Sequence, residues 1–253
     1  MPKDFVSTLR HWRHGVRLYI AIAIVIVTLE GWWWASVSYG GSNLFAIRLE
    51  EFYAWLSLGL LATAISIGPF YKLFRNATGK SLMFDARRLL GVGAAWFATL
   101  HVVLVYNSLF KFANPFSLPD EYQRSFLVGA IALIILLAMA FTSFDIAMKT
   151  LGVWWFRLHR FVYLAVLLVL LHLFMIGAHS LQTGVIATLT IASVTIFGLE
   201  IAAIFTRSPS PTKWQLLALI PSIIFLVLTF GYAFSRYSQQ EDSAKYQGQA
   251  QSI

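Results

Sequence analysis

The chain of 253 residues contains no cysteine. This absence excludes disulfide bonds, thiolate-held iron-sulfur clusters, covalently attached c-type haem and redox-active thiols. Histidine is then the strong metal-ligating side chain that remains, and the sequence has six of them.

Familiar catalytic and nucleotide-binding motifs are also missing. The sequence has no G-x-S-x-G nucleophile motif, no HExxH zinc motif, no P-loop and no glycine-rich dinucleotide fingerprint before a predicted helix. Residues 235–253 are few and polar, and we predict a disordered tail there. We therefore expect no substrate-catalytic or nucleotide-binding domain here, and no self-sufficient NADPH-driven reductase.

Charged residues are scarce at 12%, whereas hydrophobic residues make up 58% of the chain. Soluble domains contain about 25% charged residues, so this balance is typical of a polytopic membrane protein. The apolar runs are continuous and near the length that crosses a bilayer as a helix, and they lack the alternation of barrel strands. Seven spans are predicted: 18–38, 53–74, 89–110, 125–144, 154–177, 184–206 and 214–234.

The net charge of +8 is explained by membrane topology rather than by nucleic-acid binding. Of the 19 lysines and arginines, 14 lie on one side of the predicted spans. This bias predicts a multi-pass protein of the inner (plasma) membrane, with the N-terminus in the cytoplasm and the C-terminus outside. The first apolar run ends at Trp32–Trp34 without a small-residue cleavage site, so we expect it to remain as an anchor. Membrane lipid is thus an expected partner, and nucleic acid is not.

Three histidines lie inside predicted spans: His101, His159 and His172. Ionisable side chains are costly at membrane depth and usually mark functional sites. At 1.5 Å per helical residue, His101 lies roughly 20 Å from Arg88, and His172 lies at a similar depth on a span that runs the same way. Two imidazoles at one level can supply both axial ligands of a haem b iron.

His159 lies near the inner edge, where the sequence supplies no second histidine as its partner. The thirteen-residue step to His172 leaves the two side chains about 140° apart on an ideal helix. Either a π-bulge re-phases the helix, or His159 faces a different partner. Three roles stay open: ligand of a second haem, hydrogen-bond partner of FMN or a quinone, or a structural residue.

Four arginines cluster near His159 in the predicted topology. They fit two roles: positive-inside anchors, or an anion site for a haem propionate or the phosphate of FMN. His179 is predicted to be a surface residue or an outer electron exit. Glu200 is predicted to pair with an arginine or to exchange protons with a quinone. The four arginines are Arg87, Arg88, Arg157 and Arg160.

The segments that carry these residues resemble a known family. Arg87–Gly91 with Thr99–His101, Thr142–Asp145, and Leu158–Ala165 with Leu171–His172 resemble the ferric-reductase-like transmembrane domain, particularly the haem-binding membrane subunits of bacterial periplasmic methionine-sulfoxide reductase systems. The resemblance covers roughly residues 50–205. It implies a b-type cytochrome that passes electrons from a cytoplasmic-side donor, flavin or quinol, to an outer-face reductase partner. It also places all three histidines at haem-ligand positions.

Two departures from that family shape the final prediction. Ferric reductases of the superfamily carry two histidines on the third core helix and this chain carries one, so we expect one haem, with a second left open. A seventh span also replaces their cytoplasmic flavin and nicotinamide domain. The predicted fold is an all-α polytopic membrane bundle: a basic cytoplasmic arm (1–17), a six-helix haem-binding core (18–206), an extra transmembrane helix (207–234) and the tail (235–253).

Two alternatives to the electron-transfer subunit remain. The chain could be a terminal ferric or quinone reductase that acts at its own outer surface. It could instead be a haem-free transporter or assembly factor, although few polar residues line its predicted spans.

Overall fold

The computed structural model describes residues 3–176 except 75, 77, 109, 112, 113 and 118, together with residues 195, 198, 201 and 202. The chain divides into two compact units, Met1–Ile176 and Gly177–Ile253. The first unit is helical throughout its described part, with α1 (Lys3–Tyr39), α2 (Leu44–Leu73), α3 (Lys80–Ser108), a 3-10 turn (Pro115–Ser117), α4 (Asp120–Phe141), α5 (Asp145–Leu151), α6 (Val153–His159) and α7 (Val162–Ile176).

Five helical segments in the described residues are long and apolar enough to cross a membrane: Gly15–Tyr39, Leu44–Leu73, Lys80–Ser108, Tyr122–Phe141 and Val153–Leu173. The predicted polytopic helical bundle is therefore confirmed. The sixth and seventh predicted spans, with His179, Glu200 and the tail, lie outside the described residues apart from four positions in the sixth span.

Several helix boundaries differ from the sequence-based prediction, and the starts of α1 and α2 are two examples. Helix α1 begins at Lys3, so the described part of the predicted basic arm continues the first helix. Helix α2 begins at Leu44, nine residues before the predicted span. The prediction began only at the apolar run, whereas the preceding residues Arg48, Glu50 and Glu51 extend the same helix.

Helices α1, α2 and α3 share a core of small and aromatic side chains. Ala35, Leu49, Tyr53 and Phe97 are buried there. Tyr53 stacks on Phe97 with ring centroids 5.7 Å apart, and its hydroxyl donates to the backbone oxygen of Thr28 at 2.8 Å. In lipid each polar group needs a partner within the protein. This hydrogen bond supplies that partner and also links α2 to α1. The packing holds α2 along α3, which brings Glu50 beside His101.

The fifth predicted span is interrupted rather than continuous. Helix α6 ends at His159 and α7 begins at Val162. Between them, the backbone N–H groups of Arg160 and Phe161 donate three residues back, to Arg157 and Leu158. Such i→i+3 bonds tighten the chain. Of the two alternatives for this span, the described residues show no π-bulge; a tight turn separates the segment of His159 from that of His172.

The two ends of this unit carry different chemistry. We call the end formed by the C-termini of α1 and α3 and the N-termini of α2 and α4 the distal end. The opposite end, where Arg17 meets Asp85 and Asp145, is the proximal end. At 1.5 Å per residue, His101 lies roughly 10 Å along α3 from the distal Ser108. The histidines discussed next therefore occupy two separate levels.

Candidate metal centre

His101 on α3 and His172 on α7 face each other in the distal half of the unit. Their ring centroids are 6.4 Å apart, and the ring planes are inclined at 78°. These two residues are 71 positions apart in the sequence, and the structure places their rings side by side.

The separation of the two rings fits one metal ion held between them. Metal–imidazole bonds are about 2.0–2.1 Å long and a ring centroid lies about 1.1 Å behind its nitrogen, so two axial imidazoles place their centroids about 6–6.5 Å apart. The observed distance lies in that range. Within the part of the chain that the structure describes, no group of three or more histidine, aspartate or glutamate side chains forms a metal site. Two opposed imidazoles are the ligand set with which a protein completes a six-coordinate haem iron.

Hydrogen bonds select which nitrogen of each histidine is available. His101 Nδ1 lies 3.2 Å from the backbone oxygen of Glu50, and His172 Nδ1 lies 2.8 Å from the backbone oxygen of Ser125. Carbonyl oxygens only accept, so each Nδ1 carries the proton and donates it. Each neutral ring then keeps its lone pair on Nε2. Ligating histidines usually donate their second N–H to a carbonyl or carboxylate in this way.

A glycine on α4 makes room for the His172 ring. A Cβ added at Gly129 would lie 2.7 Å from both Cε1 and Nδ1 of His172. Carbon atoms need about 3.5 Å for favourable contact, so only a residue without a side chain permits this position of the ring. Ser125, one turn earlier, is fully buried and places its hydroxyl oxygen 3.2 Å from the same Nδ1. Helix α4 therefore packs closely against the imidazole of His172.

Glu50 adds a buried carboxyl group next to the pair. Its side chain is almost fully buried, and its Oε2 atom has no hydrogen-bond partner among the described residues. Buried polar atoms without partners are uncommon and call for an explanation. The backbone carbonyl of the same residue contacts His101 Nδ1, so the carboxyl group belongs to the residue that positions this histidine.

His159 is arranged differently from the other two histidines. Its ring stacks on Trp155 with centroids 3.9 Å apart, and Nδ1 donates to the backbone oxygen of Trp155 at 3.0 Å. Nε2 makes a long contact of 3.5 Å with the hydroxyl of Ser143. In this arrangement both ring nitrogens face protein atoms, and no described histidine is placed opposite His159 as His101 is opposite His172.

The four candidate arginines do not converge on one point. Arg88 donates to Asp145 at 2.6 Å, and the guanidinium of Arg87 lies against Gly68 on α2. Arg157 lies over the ring of Trp154, 4.6 Å from its centroid. The last of the four, Arg160, is exposed in the turn after α6. The predicted anion site is therefore not assembled as a four-arginine cluster in the described structure.

An ion-pair cluster instead joins three helices at the proximal end. Arg17 on α1 donates to Asp85 on α3 at 3.1 Å and to Asp145 at the start of α5 at 2.8 Å. Hydrogen bonds from Arg17, and then from Arg88, hold the pKa of Asp145 far below its usual range. Charge-assisted hydrogen bonds of this kind are stronger than neutral ones. The cluster fixes the connection between α4 and α6, which contains Ser143 and leads into the helix that ends at His159.

Several residues of the site escaped the sequence analysis. Ser125 and Gly129 contact His172, and Glu50 contacts His101, but none of them belongs to a recognisable motif. Gly129 offered one signal, because an isolated glycine in an apolar helix often marks close packing. The identity of its neighbour could not be read from the sequence.

Fold and site together define a multi-pass helical membrane protein with a facing pair of histidines inside the membrane. Residues 53–171 match the family described as ferric reductase like transmembrane component. His101 lies inside that range, and His172 lies one residue past its end. No solved structure matches the chain significantly.

Three matching relatives bear the name "Protein-methionine-sulfoxide reductase heme-binding subunit MsrQ". The protein of Cronobacter sakazakii is 33% identical over 126 residues. Those of Pectobacterium carotovorum subsp. carotovorum and Pectobacterium atrosepticum are each 34% identical over 127 residues. Each of these three matches covers 49% of this chain and 61% of the relative. The chain thus spans about three fifths of the length of the curated relatives that it matches.

Proposed function

We propose that this chain is a membrane haem subunit that transfers electrons across the bilayer to a reductase. The observation that carries the proposal is the pair of His101 and His172, whose ring centroids lie 6.4 Å apart across a gap suited to one iron. The named relatives, which are haem-binding subunits of a methionine-sulfoxide reductase, support the same conclusion. Haem b supplies one-electron exchange between ferric and ferrous iron when it is bound.

The residues of the pair favour electron transfer over ligand activation. When haem is bound, His101 and His172 would both hold its iron, and an iron held by two histidines suits electron exchange rather than the binding of oxygen or peroxide. Glu50 and Ser125 orient the two rings through Nδ1, and the apolar side chains around α3 and α7 limit the access of water. Such a site changes little in geometry between two oxidation states, which suits rapid electron exchange.

We place the electron donor at the proximal end and the acceptor at the distal end. The excess of lysine and arginine on that side supports a cytoplasmic location for the proximal end, in a bacterial inner membrane. His159, stacked on Trp155 near Ser143, is the polar position there that a flavin or quinol could approach. The pair lies closer to the distal end, where a partner such as a methionine-sulfoxide reductase would collect the electrons. One haem is proposed, because His159 lacks an opposed histidine among the described residues.

The test is electron flow through intact membranes. Spheroplasts that contain the wild-type chain should show haem reduction by internal metabolism and prompt reoxidation by an impermeant external oxidant such as ferricyanide. Spheroplasts with His172→Ala should show neither change. Equal haem reduction and reoxidation in the wild-type and His172→Ala spheroplasts would contradict the proposal.

The terminal-reductase alternative makes a different prediction. If the isolated chain in proteoliposomes reduces ferric citrate or a quinone with steady turnover from an enclosed donor, a partner reductase is unnecessary. We expect one round of haem oxidation and no turnover with those acceptors, but steady turnover with the partner enzyme.

A further inference from the structure

We propose that Ser125 is a positioning residue that holds the imidazole plane of His172 across that of His101. The inference rests on the proposed function, because it concerns the two rings as axial ligands of one iron. It goes further by assigning a role to a residue that is not itself one of the two proposed ligands.

The contacts of the two histidines are unequal. His101 Nδ1 has one acceptor, the Glu50 carbonyl at 3.2 Å. His172 Nδ1 has two acceptors on a single residue, the Ser125 carbonyl at 2.8 Å and the Ser125 hydroxyl at 3.2 Å. One N–H shared between two oxygens cannot rotate toward either without losing the other. The plane of the His172 ring is therefore held more firmly than a single carbonyl would hold it.

The hydrogen-bond acceptors of the two Nδ1 atoms belong to different helices, and this explains the angle between the rings. Helix α2 orients His101 through Glu50, and helix α4 orients His172 through Ser125, with Gly129 leaving space for the ring. The result is an inclination of 78° between the ring planes. Free axial imidazoles have little preference of their own, so this nearly perpendicular arrangement is imposed by the protein.

The arrangement has two measurable consequences. Perpendicular axial imidazoles leave two iron d orbitals almost equal in energy, and ferric haem then gives one strongly anisotropic EPR signal instead of a three-line rhombic spectrum. Hydrogen bonding at Nδ1 also makes an imidazole a stronger donor, which favours ferric iron and lowers the reduction potential. Loss of the serine hydroxyl should alter both properties without removing either ligand.

The experiment compares purified wild-type holoprotein with three variants, each with bound haem. Ser125→Ala removes one acceptor of the His172 N–H, and Ser125→Thr retains it. Ser57→Ala is the matched control, because Ser57 is a buried serine that bonds across to another helix, at the Ala94 oxygen 2.8 Å away, and contacts neither histidine. EPR spectra and potentiometric titrations are recorded for all four proteins.

We expect the anisotropic signal in wild type, Ser125→Thr and Ser57→Ala, and a shift toward a rhombic spectrum in Ser125→Ala. The ratio of ferric to ferrous haem at a given potential should fall up to tenfold in Ser125→Ala, a rise of at most about 59 mV in midpoint potential. A rhombic spectrum in the wild type would overturn the inference, as would an Ser125→Ala protein identical to wild type.

If Ser125→Ala does not retain haem, Ser125→Cys is measured instead, since a thiol is similar in size but a weak acceptor. An unchanged spectrum and potential in Ser125→Cys would overturn the inference, and a shifted spectrum would support it. A wild-type protein without haem would refute the proposed function itself, whereas a haem protein indifferent to Ser125 would refute this inference alone.

Discussion

Replacing Gly129 with alanine should weaken haem binding while leaving the helices folded. The added methyl carbon would lie 2.7 Å from Cε1 and Nδ1 of His172. Ordinary contacts begin near 3.4 Å, so the ring would have to move by about 0.7 Å, a large fraction of a metal–nitrogen bond of about 2.0 Å. The movement would also strain the hydrogen bond from Nδ1 to Ser125.

The substitution Gly129→Ala affects two quantities, the free energy of unfolding and the affinity for haem. Overpacking of a well-packed site costs about 1–3 kcal/mol, whereas alanine stabilises a helix by about 1 kcal/mol relative to glycine. The net effect on unfolding should therefore be small, at about 0–2 kcal/mol. Misplacement of a ligand by its surroundings typically lowers metal affinity about 10–100-fold, and we expect haem affinity to fall in that range.

Haem titration of the purified apoprotein, followed by absorbance and by thermal unfolding in detergent, measures both quantities. The matched control is Gly91→Ala, because a Cβ at Gly91 on α3 meets no atom within 4 Å. Gly91→Ala should bind haem like the wild type. Equal haem affinity in Gly129→Ala and Gly91→Ala would show that His172 does not need its present position, and the proposed geometry would be wrong.

Three further predictions concern residues around the pair. His159→Ala should keep the full haem content and the bis-histidine spectrum, measured by absorbance per protein; loss of half the haem would indicate a second site. Asp145→Asn should lower unfolding stability by about 1 kcal/mol at pH 7, since the carboxylate is half exposed. Because the pKa of Asp145 is lowered by Arg17 and then by Arg88, this stabilisation exists above its ordinary pKa and is lost as the pH falls below about 4. Thermal unfolding at pH 7 and below pH 4 should show that the stability difference between Asp145→Asn and wild type disappears in acid. A stability difference that persists in acid would exclude the charge of Asp145 as its cause. Glu50→Gln should retain haem and unfold at the same or a higher temperature, because it replaces a buried ionisable carboxyl group, one oxygen of which has no described partner, with a neutral amide of the same shape; loss of haem would instead show that this carboxyl supports the site.

The sequence predicted the helical bundle and the central pair for clear physical reasons. Helices are required where lipid cannot satisfy backbone groups, and the apolar runs of spanning length located five of them correctly. The constant rise of a helix also placed His101 and His172 at one depth. No knowledge of packing was needed for that step, and in the structure the two ring centroids lie 6.4 Å apart.

The surroundings of the pair depended on packing that a single sequence does not encode visibly. The acceptors of both Nδ1 atoms are backbone carbonyls, at Glu50 and Ser125, and any residue type supplies a carbonyl. The partner of Arg88 proved to be Asp145, a residue the sequence analysis had noted only as part of a family motif. The tight turn after His159 was also missed, since Arg160 and Phe161 carry no helix-breaking signal.

Haem stoichiometry combined with the low-spin spectrum tests the central claim most directly. Pyridine haemochrome analysis of the purified wild-type chain should give one haem b per chain with a low-spin bis-histidine spectrum. His101→Ala and His172→Ala should each lose that spectrum, while His159→Ala should preserve it. Retention of the low-spin spectrum in either His101→Ala or His172→Ala would contradict the claim that these two side chains share one iron.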